Sequence, residues 1–117
     1  MTRFILQINV NVTNFVSDCI YQRDTFTSAL ADDVAEKFFL HVEYYCMAHA
    51  PTVEHVLRVH FSTRREFAKL PAVIAWAKRA GYPLFMYPPG IADYYDKEVR
   101  PFDPQAALEA ACWYERS

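Results

Sequence analysis

The sequence predicts one domain over residues 1–117, an α/β protein of the α+β kind. We expect a two-layer sandwich in which a small mixed or parallel sheet carries three helices mainly on one face. Two segments alternate between apolar and polar residues, which is typical of strands with one buried and one solvated face. Other segments repeat their apolar residues with the helical period of 3.6. A chain of 117 residues buries roughly two-thirds of its unfolded surface, which suffices for one core.

The first clear strand lies near the start of the sequence. Its apolar residues are Phe4, Leu6, Ile8, Val10 and Val12, and they alternate with Arg3, Gln7, Asn9, Asn11 and Thr13. One face is therefore predicted to be buried and the other, which carries Asn9, to be solvated. Residues 14–27 fit either a helical turn or a second strand over Cys19 to Phe26 paired with the first as a hairpin, and we favour the strand.

From Ser28 to His49 the apolar period changes to 3.6 residues, which predicts one long helix closed by Pro51. Its apolar stripe is Leu30, Val34, Phe38, Val42, Tyr45 and Cys46. Asp32 and Asp33 lie in the first turns, where the helix dipole favours negative charge.

Val53 to Phe61 alternates again and predicts a second clear strand, with Arg58 and His60 on the same face as Asn9. Because both clear strands alternate, we expect this sheet face to be open to solvent or paired with another copy.

Helix signals follow this strand. Thr63 and Glu66 form a capping box, in which each side chain accepts a hydrogen bond from a backbone amide of the other's turn. Pro71 predicts a break and a second helix start, and Gly81 predicts a left-handed stop. A short strand over Pro83 to Tyr87 is expected next, and then a final helix that Asp103 and Pro104 open and that runs to about Glu115.

This order of elements, from His55 to Gly90 above all, resembles STAS-type domains of the anti-sigma-factor-antagonist kind. Such domains place an Asp-Ser-Ser/Thr-Gly turn at the strand-to-helix junction, which here reads Phe61-Ser62-Thr63-Arg64. Because the acidic residue and the glycine are both missing, the resemblance implies no phosphorylation site.

Composition excludes several functions. The chain has only two glycines, where about eight are usual, so it lacks the glycine-rich turns of dinucleotide, phosphate and nucleophile-elbow motifs, and we expect no cofactor. A formal charge of −2 disfavours binding to nucleic acid, and no segment predicts a signal peptide or a membrane span. Three widely spaced cysteines indicate reduced thiols, and hence a cytoplasmic protein.

A metal site is not predicted. His41, Cys46 and His49 share the expected helix, and His41-Val42-Glu43 matches the HxE fragment of zinc deaminases, but their PCxxC partner is absent. Since a zinc site needs at least three convergent protein ligands, we interpret these residues as a helix that buries Cys46 and leaves its histidines at the rim.

Residues 88–102 form the most unusual segment, a long loop rich in tyrosine and acidic residues. Loops of this length in small domains tend to be functional, and tyrosine is enriched at protein interfaces. The residues we expect to contact a partner, at this loop and its start, are Tyr87, Ile91, Asp93, Tyr94, Tyr95, Asp96, Glu98 and Phe102. The structural alternative is that these rings fold back over the sheet edge or the end of the core.

The sequence thus favours a small non-enzymatic inhibitor or binding protein, of the phage anti-defence or immunity-protein type, that contacts another protein or forms a homodimer. One alternative is a small enzyme with His60 as general acid–base and Arg58 stabilising an anion. Another is a single-strand nucleic-acid platform formed by Asn9, Arg58, His60 and the aromatic residues beside them.

Overall fold

A five-stranded sheet and the helices that follow its strands make up the fold. The computed structural model describes residues 4–14, 20–49, 52–87 and 99–116. In chain order the elements are β1 (Phe4–Asn14), α1 (Ile20–Phe38), β2 (His41–His49), β3 (Thr52–Phe61), the four-residue α2 (Arg64–Phe67), α3 (Leu70–Ala80), β4 (Leu84–Met86), β5 (Arg100–Pro101) and α4 (Pro104–Arg116). The strands lie in the order β2-β3-β1-β4-β5, so β1 and β3 are central and β2 is an edge.

Every neighbouring pair in this sheet is antiparallel, which makes the domain an α+β protein and the parallel alternative wrong. The parallel prediction assumed that helices join neighbouring strands as crossovers. Instead β1 lies between β3 and β4, and β2 is followed in sequence by β3, its neighbour in the sheet. The resemblance to STAS-type domains rested on an element order that lacked β2, and this topology does not support it.

The helix predicted from Ser28 to His49 is wrong in its second half. The α1 helix begins at Ile20 and ends at Phe38. The strand expected over Cys19 to Phe26 is therefore also wrong for residues 20–26, which are the part of that segment that the structure describes. Phe39 then takes a left-handed conformation with φ of 55°, and a strand follows. Six of the nine residues of β2 are apolar or aromatic, so its sequence fits the helical period as well as the strand period.

The α1 helix ends without a glycine because a distant side chain supports its last turn. The Lys69 ammonium donates a hydrogen bond of 2.8 Å to the Phe38 carbonyl and lies 5.6 Å from the centre of the Phe39 ring. A cation at this end also favours the helix dipole. This stop signal therefore comes from a residue far along the chain.

The helix signals after β3 are confirmed. Thr63 and Glu66 make both hydrogen bonds of the capping box, and Pro71 lies in the first turn of α3. Gly81 has φ of 82° and ends α3 in the left-handed conformation. The short strand is β4, and the Asp103 carboxylate accepts the amide hydrogen of Gln105 where α4 begins.

Replacing Thr63 with alanine is expected to lower the free energy of unfolding by about 1 kcal/mol, because the Glu66 amide loses its acceptor. Urea denaturation followed by circular dichroism measures the change. A serine at position 63 keeps a hydroxyl acceptor and serves as control, so equal destabilisation by serine and alanine would contradict the assignment.

One hydrophobic core joins alternate residues of the strands to the helices. Its strand residues are Phe4, Leu6, Ile8, Leu57, Val59, Phe61 and Met86, and its helix residues are Ala31, Val34, Leu70, Val73, Ala77, Ala107 and Ala110. The rings of Phe4, Phe61 and Phe67 contact one another, with centroid distances between 5.7 and 6.4 Å. None of the helices in the described ranges is both long and apolar enough to cross a membrane.

A bulge in β1 changes the face on which its last residues lie. Asn9 is opposite Val56, but the register then shifts, so that Asn11 is opposite His55 and Val12 is opposite Glu54. Because one extra residue reverses the alternation, Val12 is exposed rather than in the core, and Asn11 leaves the face that it was expected to share with Asn9.

Candidate metal centre

The sheet has a second face, opposite the core, that carries most of its buried polar side chains. We call it the polar face and define it by Gln7 and Asn9 of β1, His41, Glu43 and Tyr45 of β2, and Arg58 and His60 of β3. The strand register aligns these residues in rows: His41 is opposite His60, Glu43 is opposite Arg58, and Arg58 is opposite Gln7. The three candidates predicted for the sheet, Asn9, Arg58 and His60, therefore lie on one face, as expected.

The sequence predicted that this face would be open to solvent, but the centre of the polar face is buried. Gln7, Arg58 and His60 are only 1%, 4% and 5% exposed. All three lie on the interior strands β1 and β3. Solvent reaches the polar face at the edge strand β2, where the His41 side chain is 62% exposed and that of Glu43 is 35% exposed.

His41, Glu43 and His60 converge at this edge, and we call them the triad. Each offers one ligand atom, and these atoms all lie within 4.8 Å of one another. The His41 Nε2 is 2.8 Å from Glu43 Oε1, and the His60 Nε2 is 3.5 Å from Glu43 Oε2. The two imidazole rings are 4.8 Å apart between centroids. Two imidazoles and one carboxylate are a ligand set typical of zinc and of non-haem iron.

Local sequence explains the convergence. In a strand, residues two apart point to the same face, so His41 and Glu43 lie side by side. The third residue reaches them across the sheet, because His41 and His60 are directly opposite in the β2–β3 register. Antiparallel pairing of these two strands thus places the triad without any loop.

The carboxylate of the triad is ionised at neutral pH. Burial alone would raise the pKa of Glu43, but hydrogen bonds with His41 and Tyr45 and the charges of the His60 and His41 imidazoles outweigh burial and lower this pKa to about 2. The Tyr45 hydroxyl donates a hydrogen bond of 2.7 Å to Glu43 Oε2. This bond, with a smaller contribution from burial, raises the pKa of Tyr45, so the tyrosine keeps the proton that it donates.

Arg58 links the triad to the rest of the polar face. Its guanidinium carbon lies 4.1 Å from the ring centre of Tyr45 and 5.3 Å from that of Tyr87. Its Nε donates to the Gln7 side-chain oxygen at 3.3 Å, and the Gln7 amide donates to Asn9 at 3.0 Å. Arg58 therefore supports the tyrosine that in turn orients Glu43.

The loop predicted to bind a partner is only partly described. Ile91, Asp93, Tyr94, Tyr95, Asp96 and Glu98 lie outside the described residues. Tyr87 is buried against Arg58, and Phe102 packs partly buried against the core. The Tyr87 ring is therefore buried and the Phe102 ring half-buried, and the partner contacts expected of the loop stay a prediction.

The His41-Val42-Glu43 segment is predicted to be helical, and on a helix residues two apart diverge. The same spacing on a strand brings both side chains together, and His60 was already assigned to the polar face. The signal that was missed is the dense run of β-branched and aromatic residues around Val42, Tyr44 and Tyr45, which favours a strand.

Comparison with protein-family models, curated proteins and solved structures gives no match for this chain.

Proposed function

We propose that the protein binds one divalent transition-metal ion, zinc foremost, through His41, Glu43 and His60. The observation that carries this proposal is the convergence of two imidazoles and an ionised carboxylate from adjacent strands, with all three ligand atoms within 4.8 Å of one another. The proposal rests on the fit of these three residues to a metal.

The residue types suit zinc, and their three ligand atoms lie within 4.8 Å of one another. Bonds of about 2.0–2.1 Å in a tetrahedral zinc site place neighbouring ligand atoms about 3.4 Å apart. The contacts of 2.8 Å to His41 and 3.5 Å to His60 are made by different oxygens of Glu43, Oε1 and Oε2, so zinc would have to draw the three ligand atoms closer than 4.8 Å. The two histidines come together by rotation of His41, which lies mostly in solvent at the sheet edge, while the buried His60 stays in place.

Three protein ligands leave coordination positions open, which is the arrangement of catalytic rather than structural zinc sites. His41, Glu43 and His60 would hold the metal, which would lower the pKa of a bound water to about 7 and so supply a hydroxide for hydrolysis. We therefore infer metal-assisted hydrolysis as the reaction class. His60 then acts as a metal ligand instead of the general acid–base that the sequence suggested, and the exposed side of the triad at β2 is where substrate would approach.

Zinc titration of the untagged chain, freed of metal by a chelator, tests the proposal by calorimetry. One equivalent of zinc is expected to bind to the wild-type protein, and Glu43→Gln is expected to abolish binding. Glu54→Gln is the matched control, because it removes a carboxylate near the start of β3 that is not part of the triad. This variant is expected to bind zinc like the wild type. Equal binding by wild type and Glu43→Gln would refute the site.

Cobalt(II) absorption distinguishes the two metal classes that this ligand set can hold. An intense visible band indicates four-coordinate, zinc-like geometry, and a weak band indicates the six-coordinate geometry of a non-haem iron site with three open positions. We expect the intense band, because zinc sites with three protein ligands complete their coordination with a single water.

Replacing Tyr45 with phenylalanine is expected to weaken zinc binding 10- to 100-fold, roughly, because Glu43 loses the hydrogen bond that orients its carboxylate. Calorimetry measures the dissociation constant. The neighbouring Tyr44 forms its hydrogen bond with His55, so Tyr44→Phe is the control and should leave zinc affinity unchanged. Equal effects of the two substitutions would mean that Tyr45 does not act through Glu43.

Three expectations from the sequence continue as proposals. We propose that the longer helices α1, α3 and α4 cover one face of the sheet as a two-layer sandwich, supported by their shared core with alternate residues of β1 and β3. Cytoplasmic location and binding of another protein or of a second copy rest on the sequence alone.

Replacing Tyr94 and Tyr95 with alanine in the folded protein tests the loop over residues 88–102. Unchanged capture of partners would exclude this loop from partner recognition.

A further inference from the structure

The helix side of the molecule carries an open apolar groove, on the core side of the sheet and therefore remote from the triad. The volume of the groove is about 700 Å³. Its walls are formed by Phe67, Ala68, Leu70, Pro71, Ile74, Ala75 and Lys78 on the α2–α3 side, and by Phe102, Pro104, Ala107, Leu108 and Ala111 on the α4 side. This volume lies within the range of about 300–1,000 Å³ that small-ligand sites occupy.

Small side chains keep the groove open. Ala75 on α3 and Ala107 and Ala111 on α4 face the space that larger side chains would fill. At the rim of the groove, the large apolar side chain of Leu108 is mostly exposed to solvent. A ligand in the groove would bury part of this apolar surface. An apolar ligand is therefore favoured by the hydrophobic effect along the whole groove.

The charge of the groove identifies one end of its ligand. Among the described residues that line the groove, Lys78 is the one charged residue and none is acidic. A ligand with an apolar body and a single negative end satisfies both features. An alkyl chain that carries one carboxylate is such a ligand.

We propose that this groove binds a free fatty carboxylate, with the alkyl chain between α3 and α4 and the carboxylate at Lys78. The proposal is independent of the metal site, since no residue is shared between them.

Dodecanoate below its micelle concentration is the probe, titrated into the metal-free protein by calorimetry. We expect one site per chain. Ala75→Trp fills the groove and is expected to raise the dissociation constant at least about tenfold, which corresponds to 1.4 kcal/mol. Ala72→Trp adds the same ring at an exposed position of α3 that does not line the groove, and it is expected to bind like the wild type.

Lys78→Gln tests the charge. It is expected to weaken dodecanoate about 3- to 5-fold, the size of an exposed ion pair, and to leave dodecanol unchanged. Arg79→Gln removes the neighbouring charge, which does not line the groove, and is the matched control. Absence of saturable binding, equal binding by Ala75→Trp and wild type, or an equal loss of dodecanol affinity in Lys78→Gln would overturn the proposal. So would a concentration-dependent dimer that Ala75→Trp abolishes, because a second copy would then be the occupant.

Discussion

A phenylalanine in place of His60 is expected to raise the dissociation constant for zinc more than about 100-fold. Loss of a residue that only orients a ligand costs 10- to 100-fold, roughly, and His60 is a ligand itself. Phenylalanine retains an aromatic ring at a position that is almost fully buried, so the sheet keeps its packing while the metal loses an imidazole nitrogen. Calorimetric titration with zinc measures the change.

The matched control for this substitution is the other buried histidine of β3. His55 stacks on Tyr44 at a ring distance of 6.2 Å and lies on the core side of the sheet, away from the triad. His55→Phe is expected to alter thermal stability and to keep zinc affinity. Zinc binding that survives in His60→Phe, with circular dichroism unchanged from the wild type, would contradict the metal centre and leave the fold intact.

Replacing Phe61 with alanine is expected to lower the free energy of unfolding by about 3–5 kcal/mol. Phe61 is completely buried, and its ring contacts both Phe4 and Phe67, so truncation removes apolar contacts from the strands and from α2 together. Urea denaturation monitored by fluorescence measures this effect.

A comparison with Phe39 separates burial from ring chemistry. Phe39 is 80% exposed, and its ring contacts the Lys69 ammonium. Phe39→Ala is therefore expected to cost less than about 1 kcal/mol, the size of an exposed cation–π contact. Similar losses in the two variants would show that the Phe4–Phe61–Phe67 cluster does not stabilise the core as argued.

The parts of the fold predicted correctly are those with local signals. Alternation gave β1 and β3, and Thr63, Pro71, Gly81 and Asp103 marked helix ends through interactions within a few residues. The end of α1 was missed because its support comes from Lys69, which is 31 residues from the carbonyl it binds. A local pattern contains no information about that contact.

The candidate site shows the same limit. The residues of the triad are evident in the sequence, and His60 was placed on the correct face. Whether His41 and Glu43 converge depends on the period of the segment that holds them. Six of the nine residues of this segment are apolar or aromatic, and such a run fits both periods. The bulge in β1 likewise leaves no mark in the alternation of Val10, Asn11 and Val12, since only pairing with β3 reveals it.

The central place of β1 in the sheet has a consequence for synthesis in the cell. Leu6 pairs on one side with Val59 and on the other with Met86, which is 80 residues further along the chain. At 5–20 residues per second, about 4–16 s pass on the ribosome before the second partner has been made. During this time an alternating apolar strand has incomplete pairing, which is the condition under which nascent chains associate wrongly. Yield of folded protein is therefore expected to depend on chaperone supply and on translation rate between β3 and β4.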